Sequence, residues 1–589
     1  MYLGELKLWN FRKFGSELEE FDLSKPNLTI NFHKGVNLLI GENDSGKSAI
    51  IDAIKLVLKT HSFEWNRISE DDFYNAYKRL RIELTFKDFT DEEAKHFAEW
   101  LGWDDSKNPY LKIFLDVKRN DERILPYEIR AGIDDIGSSL SAEAREYLKV
   151  TYLKPLRDAE SELIPKKNSR LSQIFMGYRL FKDGDEHKLV GEVKRTNEEI
   201  KNYFKENIKP DIDSFLEAFL DKESEFEISE PSLKKILESL HLKIYGEKNL
   251  GLGSHNILFI SSELLHLKNE DEGLKLALIE EIEAHLHPQV QLRIIENLQE
   301  KDDIQLIITT HSPNIGSKIK LENLFICHNG DVFPMGKGNT KLDESDYKFL
   351  ERFLDVTKAN MFFAKGVILV EGWAEELILP ALAKKIGISL TQKGISIVNV
   401  GSTAFLRYCK IFQREDDKNM FIPVAVITDL DIKPDEYKKI DSRKEIKTEE
   451  DFNIDNEISK KKEKLEGQSV RVFISPHWTL EYCLMLDSKL RVLLIDAIKF
   501  VFDEENRGER ALQNLEKEIK DILTKTSDTK IATYLYHRMF LERKISKASV
   551  AQYFAELLEN DNSIGKDNLE NIESIQYLIE AIKYAAESE

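Results

Sequence analysis

With 589 residues, 41% of them hydrophobic, the chain is long enough for about three or four domains with real cores, and 32% charged residues keep their surfaces solvated. The formal net charge of −21, from 85 basic and 106 acidic residues, argues against coating nucleic acid through a global basic field but leaves room for a local basic groove. No apolar run is long enough to span a bilayer, residues 1–10 alternate like a strand where a signal peptide would be apolar, and Cys327, Cys409 and Cys483 lie too far apart for metal-ligand spacing, so the chain reads as a soluble cytoplasmic protein with core thiols.

The first ninety residues read as strands around one helix. Residues 35–40 are a buried strand, residues 48–59 a helix with Ile50, Ile51, Ile54, Val57 and Leu58 on one side, and residues 81–86 an alternating strand. From residue 197 to 242 the period becomes helical: Ile200, Tyr203, Phe204, Ile208, Ile212, Phe215, Leu216 and Phe219 predict an amphipathic insertion that packs on itself or on a second subunit. Strands return at 276–279 and 305–308, and a further section opens at 366–370, with strands at 395–400 and 424–428. The charged stretch 432–468 predicts an exposed, partly helical insertion, and from 488 onward the pattern is mostly helical. There is no internal repeat. The division predicted is 1–150 and 244–355 as two parts of one α/β domain, 151–243 as a helical insertion between them, and 356–589 as a second α/β domain with a helical C-terminal region.

Gly41-Glu-Asn43-Asp-Ser-Gly46-Lys47-Ser48 follows an apolar strand and opens a helix, the context of a phosphate-binding loop. Glycines let backbone N–H groups close around phosphates, the helix N-terminus adds positive potential, Lys47 neutralises the terminal phosphates and Ser48 ligates a cation. Leu276-Ala-Leu-Ile-Glu280-Glu281 ends a strand in two acids, the first placed to hold the metal and the second to activate water. His285 and His287 form an isolated His-x-His, weak evidence for a metal site. The strand 305–308 leads into Thr310-His311.

A second constellation lies further on. A buried strand ends at Glu371, a glycine turn follows, and Glu375 comes four residues later on the same side of a helix start. A second buried strand ends in Asp429-Leu-Asp431, whose spacing of two puts both carboxylates on one face. Parallel strands deliver such ends to a common edge. Four carboxylates there call for divalent cations, and hard oxygen ligands select Mg²⁺ or Mn²⁺ over zinc. Two such ions suit phosphodiester hydrolysis.

Residues 1–330 resemble the ABC-type ATPases of DNA repair and defence, the group of RecF- and SMC-like heads. In that resemblance residues 283–288 are the D-loop and His311 the switch histidine that senses the γ-phosphate. The signature loop used across a dimer interface falls on Gly251, Gly253 and Ser254, which depart from the common Ser-Gly-Gly, and Arg12 takes the place of an early basic residue near the nucleotide. No Q-loop glutamine stands out; Asp71 and Asp72 occupy its region. The later acids resemble a Toprim domain, with Glu371 as its acid, Gly401 as its intervening glycine and Asp429 and Asp431 as its Asp-x-Asp. An ABC-type ATPase followed by Toprim looks like the OLD (overcoming lysogenisation defect) nucleases, and that family adds an acid and a late lysine, here Glu481 and Lys547, with Lys544 as a rival. The resemblance implies ATP with Mg²⁺ or Mn²⁺ at both sites, DNA as substrate, a homodimer or larger homo-oligomer formed by the insertion, and a place in bacterial anti-phage defence beside a helicase subunit or a retron reverse transcriptase with its RNA–DNA. Two alternatives stay open: a non-nucleolytic RecF/SMC-like clamp, and topoisomerase or primase chemistry, for which no tyrosine-bearing module is recognisable.

Overall fold

Alternation near the start of the chain builds an antiparallel sheet in which Leu28–Asn31, Tyr2–Trp9, Arg79–Lys87, Pro109–Asn120, Ile129–Ala131 and Ser138–Ser139 are neighbours in that order, with Leu101–Trp103 and Arg123–Ile124 also pairing Pro109–Asn120. The register sets Leu6 opposite Leu84 and Leu84 opposite Ile113, so one face is a row of fully buried aliphatic side chains. The computed structural model describes residues 1–16, 21–61, 67–75, 77–121, 123–155, 162–181, 184–220, 222–247, 251–269, 273–301, 303–401, 404–416, 418–440, 446–504 and 509–587. The chain folds into two compact units: Met1–Leu39, Asn43–His311 and Asn329–Val332 make one, and Ile40–Glu42, Ser312–His328 and Phe333–Glu589 the other.

In the first unit a second sheet carries Thr151–Leu153, Leu276–Ile279, Gln305–Thr309 and residues 36–39 of the strand Val36–Gly41 as parallel neighbours in that order. Leu276–Ile279 and Gln305–Thr309 are buried at every position, the pattern of parallel strands covered on both faces. Because the strands are parallel, their C-terminal ends meet at one edge, where the motif residues follow. The helix after the strand Val36–Gly41 spans Lys47–Val57.

The helical stretch differs in detail from its expectation. Its first helix, Lys188–Asn207, starts earlier than the periodicity suggested, capped by His187, and ends at Ile208. Pro210, in the first turn of the next helix Lys209–Glu217, has no N–H to continue the ladder. A third helix, Leu233–Glu238, follows an extended stretch. Residues 156–161, 182–183 and 221 of this region lie outside those described.

The second unit holds a four-stranded parallel sheet in the order Ile395–Asn399, Gly366–Val370, Val424–Thr428, Val470–Ile474. The chain steps to one side of Gly366–Val370 and then returns to its other side. The switch point therefore falls between the strand ending before Glu371 and the strand ending before Asp429, where open α/β sheets bind ligands. One core spans the sheet and the helices Trp373–Lys385, Ser488–Glu504, Lys547–Asn560 and Gln576–Ala586, including Val370, Ile378, Leu382, Ile427, Leu494, Phe554 and Ile582.

The charged stretch 432–468 is less exposed than its composition implies. Tyr437 is 3% exposed and packs edge-on against Trp478, and Thr448 is fully buried, its hydroxyl donating to the Asp435 carboxylate. Residues 441–445 lie outside those described. Among the described residues no helix is long and apolar enough to cross a membrane.

Candidate nucleotide and metal sites

The phosphate-loop geometry starts from the backbone. Gly46 has φ 105°, and a Cβ there would stand 2.5 Å from the Phe14 ring, so glycine is required by both torsion and space. Lys47 is buried and its ammonium donates to Ser45 Oγ at 3.2 Å, while Asn43 and Ser48 are exposed. Arg12 stands behind this loop: its Nη1 donates to Asp52 on the helix Lys47–Val57 at 2.8 Å and its Nε to Asp72 at 2.9 Å. Asp72, from the region where a glutamine was sought, is thus the partner of Arg12. The neighbouring Lys13, missed in the sequence, donates to the carbonyl of Asp44 in the loop itself.

Glu280 is 5% exposed and accepts from the Tyr152 hydroxyl at 2.8 Å. Glu281 has φ 43°, and its N–H donates to Thr309 Oγ1 at 3.1 Å. Left-handed backbone in a non-glycine residue costs on the order of 1 kcal/mol or more and gathers at functional turns. The strongest tie here was not anticipated: the Glu283 carboxylate accepts from the Thr310 hydroxyl at 2.8 Å and from the His311 N–H at 2.7 Å, lashing the segment after one strand to the end of the next. His287 Nδ1 caps the helix Pro288–Gln299, accepting from the Gln289 N–H. The next helix, Leu252–Asn269, starts within the expected signature loop, so Gly253 and Ser254 lie in its first turn and Gly251 just precedes it. A Cβ on Gly253 would meet the His285 carbonyl oxygen at 2.6 Å, and Asn256 Nδ2 donates to the Ala284 carbonyl at 3.0 Å. Glycine at 253 therefore lets this helix seat on residues 284–285.

At the switch point of the second unit, Glu371 Oε1 accepts from the Thr428 hydroxyl at 2.7 Å, one strand over. Glu375, in the first turn of Trp373–Lys385, is half-buried; burial, with Glu481 and Glu371 adding to it, pushes its carboxyl up to about 7. Burial likewise pushes Asp429 well above the carboxylate range, aided by Glu481 and Glu375, and raises Glu371. Gly401 follows the strand Ile395–Asn399, its N–H donating to Asn399 Oδ1 at 2.9 Å. The Asp-x-Asp loop is fixed from outside: the Leu430 N–H donates to Ser475 Oγ at 2.8 Å and the Asp431 N–H to the Trp478 carbonyl at 2.9 Å, with Asp431 at φ 65°. Glu481 is 4% exposed, and its carboxylate accepts from the Lys547 ammonium at 2.8 Å. Lys544 is exposed and leaves that place to Lys547. Lys461, on the helix Ile454–Leu465 of the charged stretch, reaches the carbonyl of Asp429 at 2.5 Å and the Asp431 carboxylate at 3.3 Å. Thr428, Ser475 and Lys461 carried no signal in the sequence beyond their types.

Among the described residues, no three His, Cys, Asp or Glu side chains close on a single point tightly enough to hold an ion as they stand. The convergence expected of the acids is one of strand ends: Thr428, Lys547 and Lys461 each hold one of them. The donor set nonetheless fits a hard divalent cation, because it is oxygen-only and the carboxyls of Glu371, Glu375 and Asp429 are all raised.

Residues 1–154 and 104–315 match the model of the AAA ATPase domain, and residues 362–431 match that of the Overcoming lysogenization defect protein-like TOPRIM domain. Such domains use a nucleotide and a divalent metal. The chain is 22% identical over 544 residues to the Endonuclease GajA of Bacillus cereus (strain HuB5-5), covering 74% of this chain and 78% of that one. It is 26% identical over 496 residues to the OLD nuclease of Thermus scotoductus (strain ATCC 700910 / SA-01), covering 77% and 87%. It is also 29% identical over 285 residues to the Retron Ec83 probable ATPase of Escherichia coli, covering 46% and 45%. With an AAA ATPase domain over its first half and a Toprim domain behind it, the chain belongs to the OLD family.

Proposed function

We propose that this chain is an ATP-controlled DNA endonuclease that hydrolyses phosphodiester bonds at the Toprim site with Mg²⁺ or Mn²⁺. The observation that carries the reading is the pair Glu371 and Asp429 at the switch point, both raised by burial, Asp429 further by Glu481 and Glu375 and Glu371 by Asp431. Glu371, Glu375, Asp429, Asp431 and Glu481 would hold the metal. Two divalent ions bound there would supply a lowered pKa for the attacking water and charge stabilisation of the leaving oxygen. The chain's own contributions are separate. Glu481 aims the Lys547 ammonium, which offsets negative charge on the phosphate. Thr428 orients Glu371, and Ser475 holds the backbone between the two aspartates.

In the ATPase domain Gly41, Asn43 and Gly46 cradle ATP, Lys47 meets its phosphates, Ser48 and Glu280 hold the cation, Glu281 activates water and His311 senses the γ-phosphate. Gly251, Gly253 and Ser254 act as the signature turn toward a second copy, and Arg12 braces the loop through Asp52. The helical insertion supplies a dimer interface: Tyr203 and Phe215 are 62% and 73% exposed on helices whose only buried residue is Val190, and Phe219, in the turn just after the second helix, is 82% exposed. The names of the similar proteins, an endonuclease, a nuclease and a retron ATPase, support DNA as substrate and a defence-system setting; in that setting we infer bacterial anti-phage defence with a helicase or reverse transcriptase as partner.

Plasmid cleavage with Mg²⁺ or Mn²⁺, with and without ATP, tests the reading. Asp429→Ala should abolish cleavage, and Lys47→Ala should abolish its response to ATP. Cleavage untouched by Asp429→Ala would return the chain to the alternative of a non-nucleolytic DNA clamp.

A further inference from the structure

The helix Ile454–Leu465 lies between the Asp-x-Asp loop and the next strand, and carries lysines at 460, 461, 462 and 464. Three of them are exposed. Lys461 shares a face with Leu465, four residues on, and that face turns inward. The C-terminal end of the helix is anchored: the Leu465 carbonyl accepts from Gln413 Nε2 at 2.8 Å, and the Glu466 carboxylate accepts from the Val472 N–H at 3.0 Å. The fold therefore aims Lys461.

Its ammonium sits among three oxygens of the loop, the carbonyls of Asp429 and Leu430 at 2.5 and 3.4 Å and Asp431 Oδ2 at 3.3 Å. These are the hard donors a divalent cation takes. The loop itself has little freedom to rearrange, since Ser475 and the Trp478 carbonyl hold it on either side. Lys461, on a four-carbon stem and one-third exposed, is the element able to withdraw.

We propose that Lys461 is a tethered counter-cation competing with the divalent ion on the Asp431 side of the Toprim site, so that two ions load in unequal steps and the weaker one requires Lys461 to leave. The inference rests on the metal-site reading above. It makes the charged stretch part of the site: metal occupancy and the position of this helix become linked.

The test is calorimetric titration of the nucleotide-free full chain with Mn²⁺, alongside hydrogen exchange of residues 454–465. The wild type should bind in two phases, with amides of the helix losing protection in the second. Lys461→Met should tighten the second phase by about tenfold, the worth of one or two charge-assisted hydrogen bonds, and leave the first unchanged. Lys461→Arg, which keeps the charge, should keep the weak second phase and guards against a folding defect in the methionine variant. Two equal phases in the wild type, or a second phase unmoved by Lys461→Met, would overturn the proposal. Asp429→Ala separates the two readings: if it still binds Mn²⁺ as the wild type does, the metal site itself has been misplaced.

Discussion

The Lys547 ammonium lies 2.8 Å from the Glu481 carboxylate, at the first turn of the helix Lys547–Asn560, with the rings of Tyr536 and Phe540 at 5.2 and 6.0 Å. A cation at a helix N-terminus opposes the helix dipole by about 0.3–1 kcal/mol, so the position needs a stronger attraction to hold it. Glu481 provides one, and is itself almost wholly buried. Lys547→Met should leave that carboxylate without a counter-ion. Because Lys547 is 42% exposed, the stability cost is discounted from the buried-pair range to about 1–3 kcal/mol. DNA cleavage should fall at least about tenfold while ATP turnover is kept. Denaturant unfolding and the two activity assays read this together, and unimpaired cleavage in the variant would remove Lys547 from the site. Lys547→Arg should recover part of the loss.

In the ATPase domain, Lys47 and Glu281 should separate binding from chemistry. Lys47→Ala should lose ATP binding, because the buried ammonium is the loop's own charge. Glu281→Gln keeps the backbone bond to Thr309 and should bind ATP normally while hydrolysing it on the order of 10²-fold more slowly, the worth of a general base. Fluorescent-nucleotide binding and phosphate release measure the two steps. Equal turnover by Glu281→Gln and wild type would move the water-activating role elsewhere.

The features legible in the sequence are those encoded locally. The phosphate loop declares itself through glycine spacing between an apolar strand and a helix, and the strands before Glu280, Glu371 and Asp429 through unbroken apolar runs. The partners that position these acids are encoded by topology, which single-chain spacing does not reveal. Glu283 reaches His311 only because Leu276–Ile279 and Gln305–Thr309 are adjacent. Ser475 reaches Leu430 because Val470–Ile474 pairs with Val424–Thr428. Lys461 reads as one solvated lysine in a run until the fold turns its face of the helix inward. The early start of the helix Lys188–Asn207 was hidden because its first two turns bury one residue, too few to set a period.

The helical insertion makes a prediction about assembly. Ile200, Tyr203 and Phe204 on one helix and Ile212 and Phe215 on the next recur at helical spacing and are all exposed by more than a third. An apolar surface of that kind is rarely left to water. Phe215→Asp with Phe219→Asp should lower the sedimentation mass from a dimer or larger assembly toward the monomer, without changing the circular dichroism spectrum. A wild-type chain that sediments as a monomer at micromolar concentration would sink the assignment.

The raised carboxyl of Glu375 sets a pH dependence whose sign can be worked through. Below the ordinary glutamate value of 4.5 the group is protonated in both folded and unfolded chains. As pH rises from 4.5 toward about 7, the unfolded chain ionises it while the folded chain keeps its proton, held by burial and by the neighbouring Glu481 and Glu371. Stability should therefore be fullest below 4.5 and be lost across that window, by up to about 3 kcal/mol for this group, then level off. Glu375→Gln cannot ionise, so in the presence of a chelator its denaturation midpoint should fall less than that of the wild type between pH 4.5 and 7. Asp429, raised in the same direction partly by Glu375 itself, loses that contribution in the variant, which narrows the fall of its midpoint further. Mn²⁺ should reverse the trend in the wild type, because a bound cation favours the ionised carboxylates and its affinity rises as the protons leave. A wild-type and variant difference that stays constant across the window would show that Glu375 titrates like an ordinary surface acid, and that burial is not what primes this site for a cation.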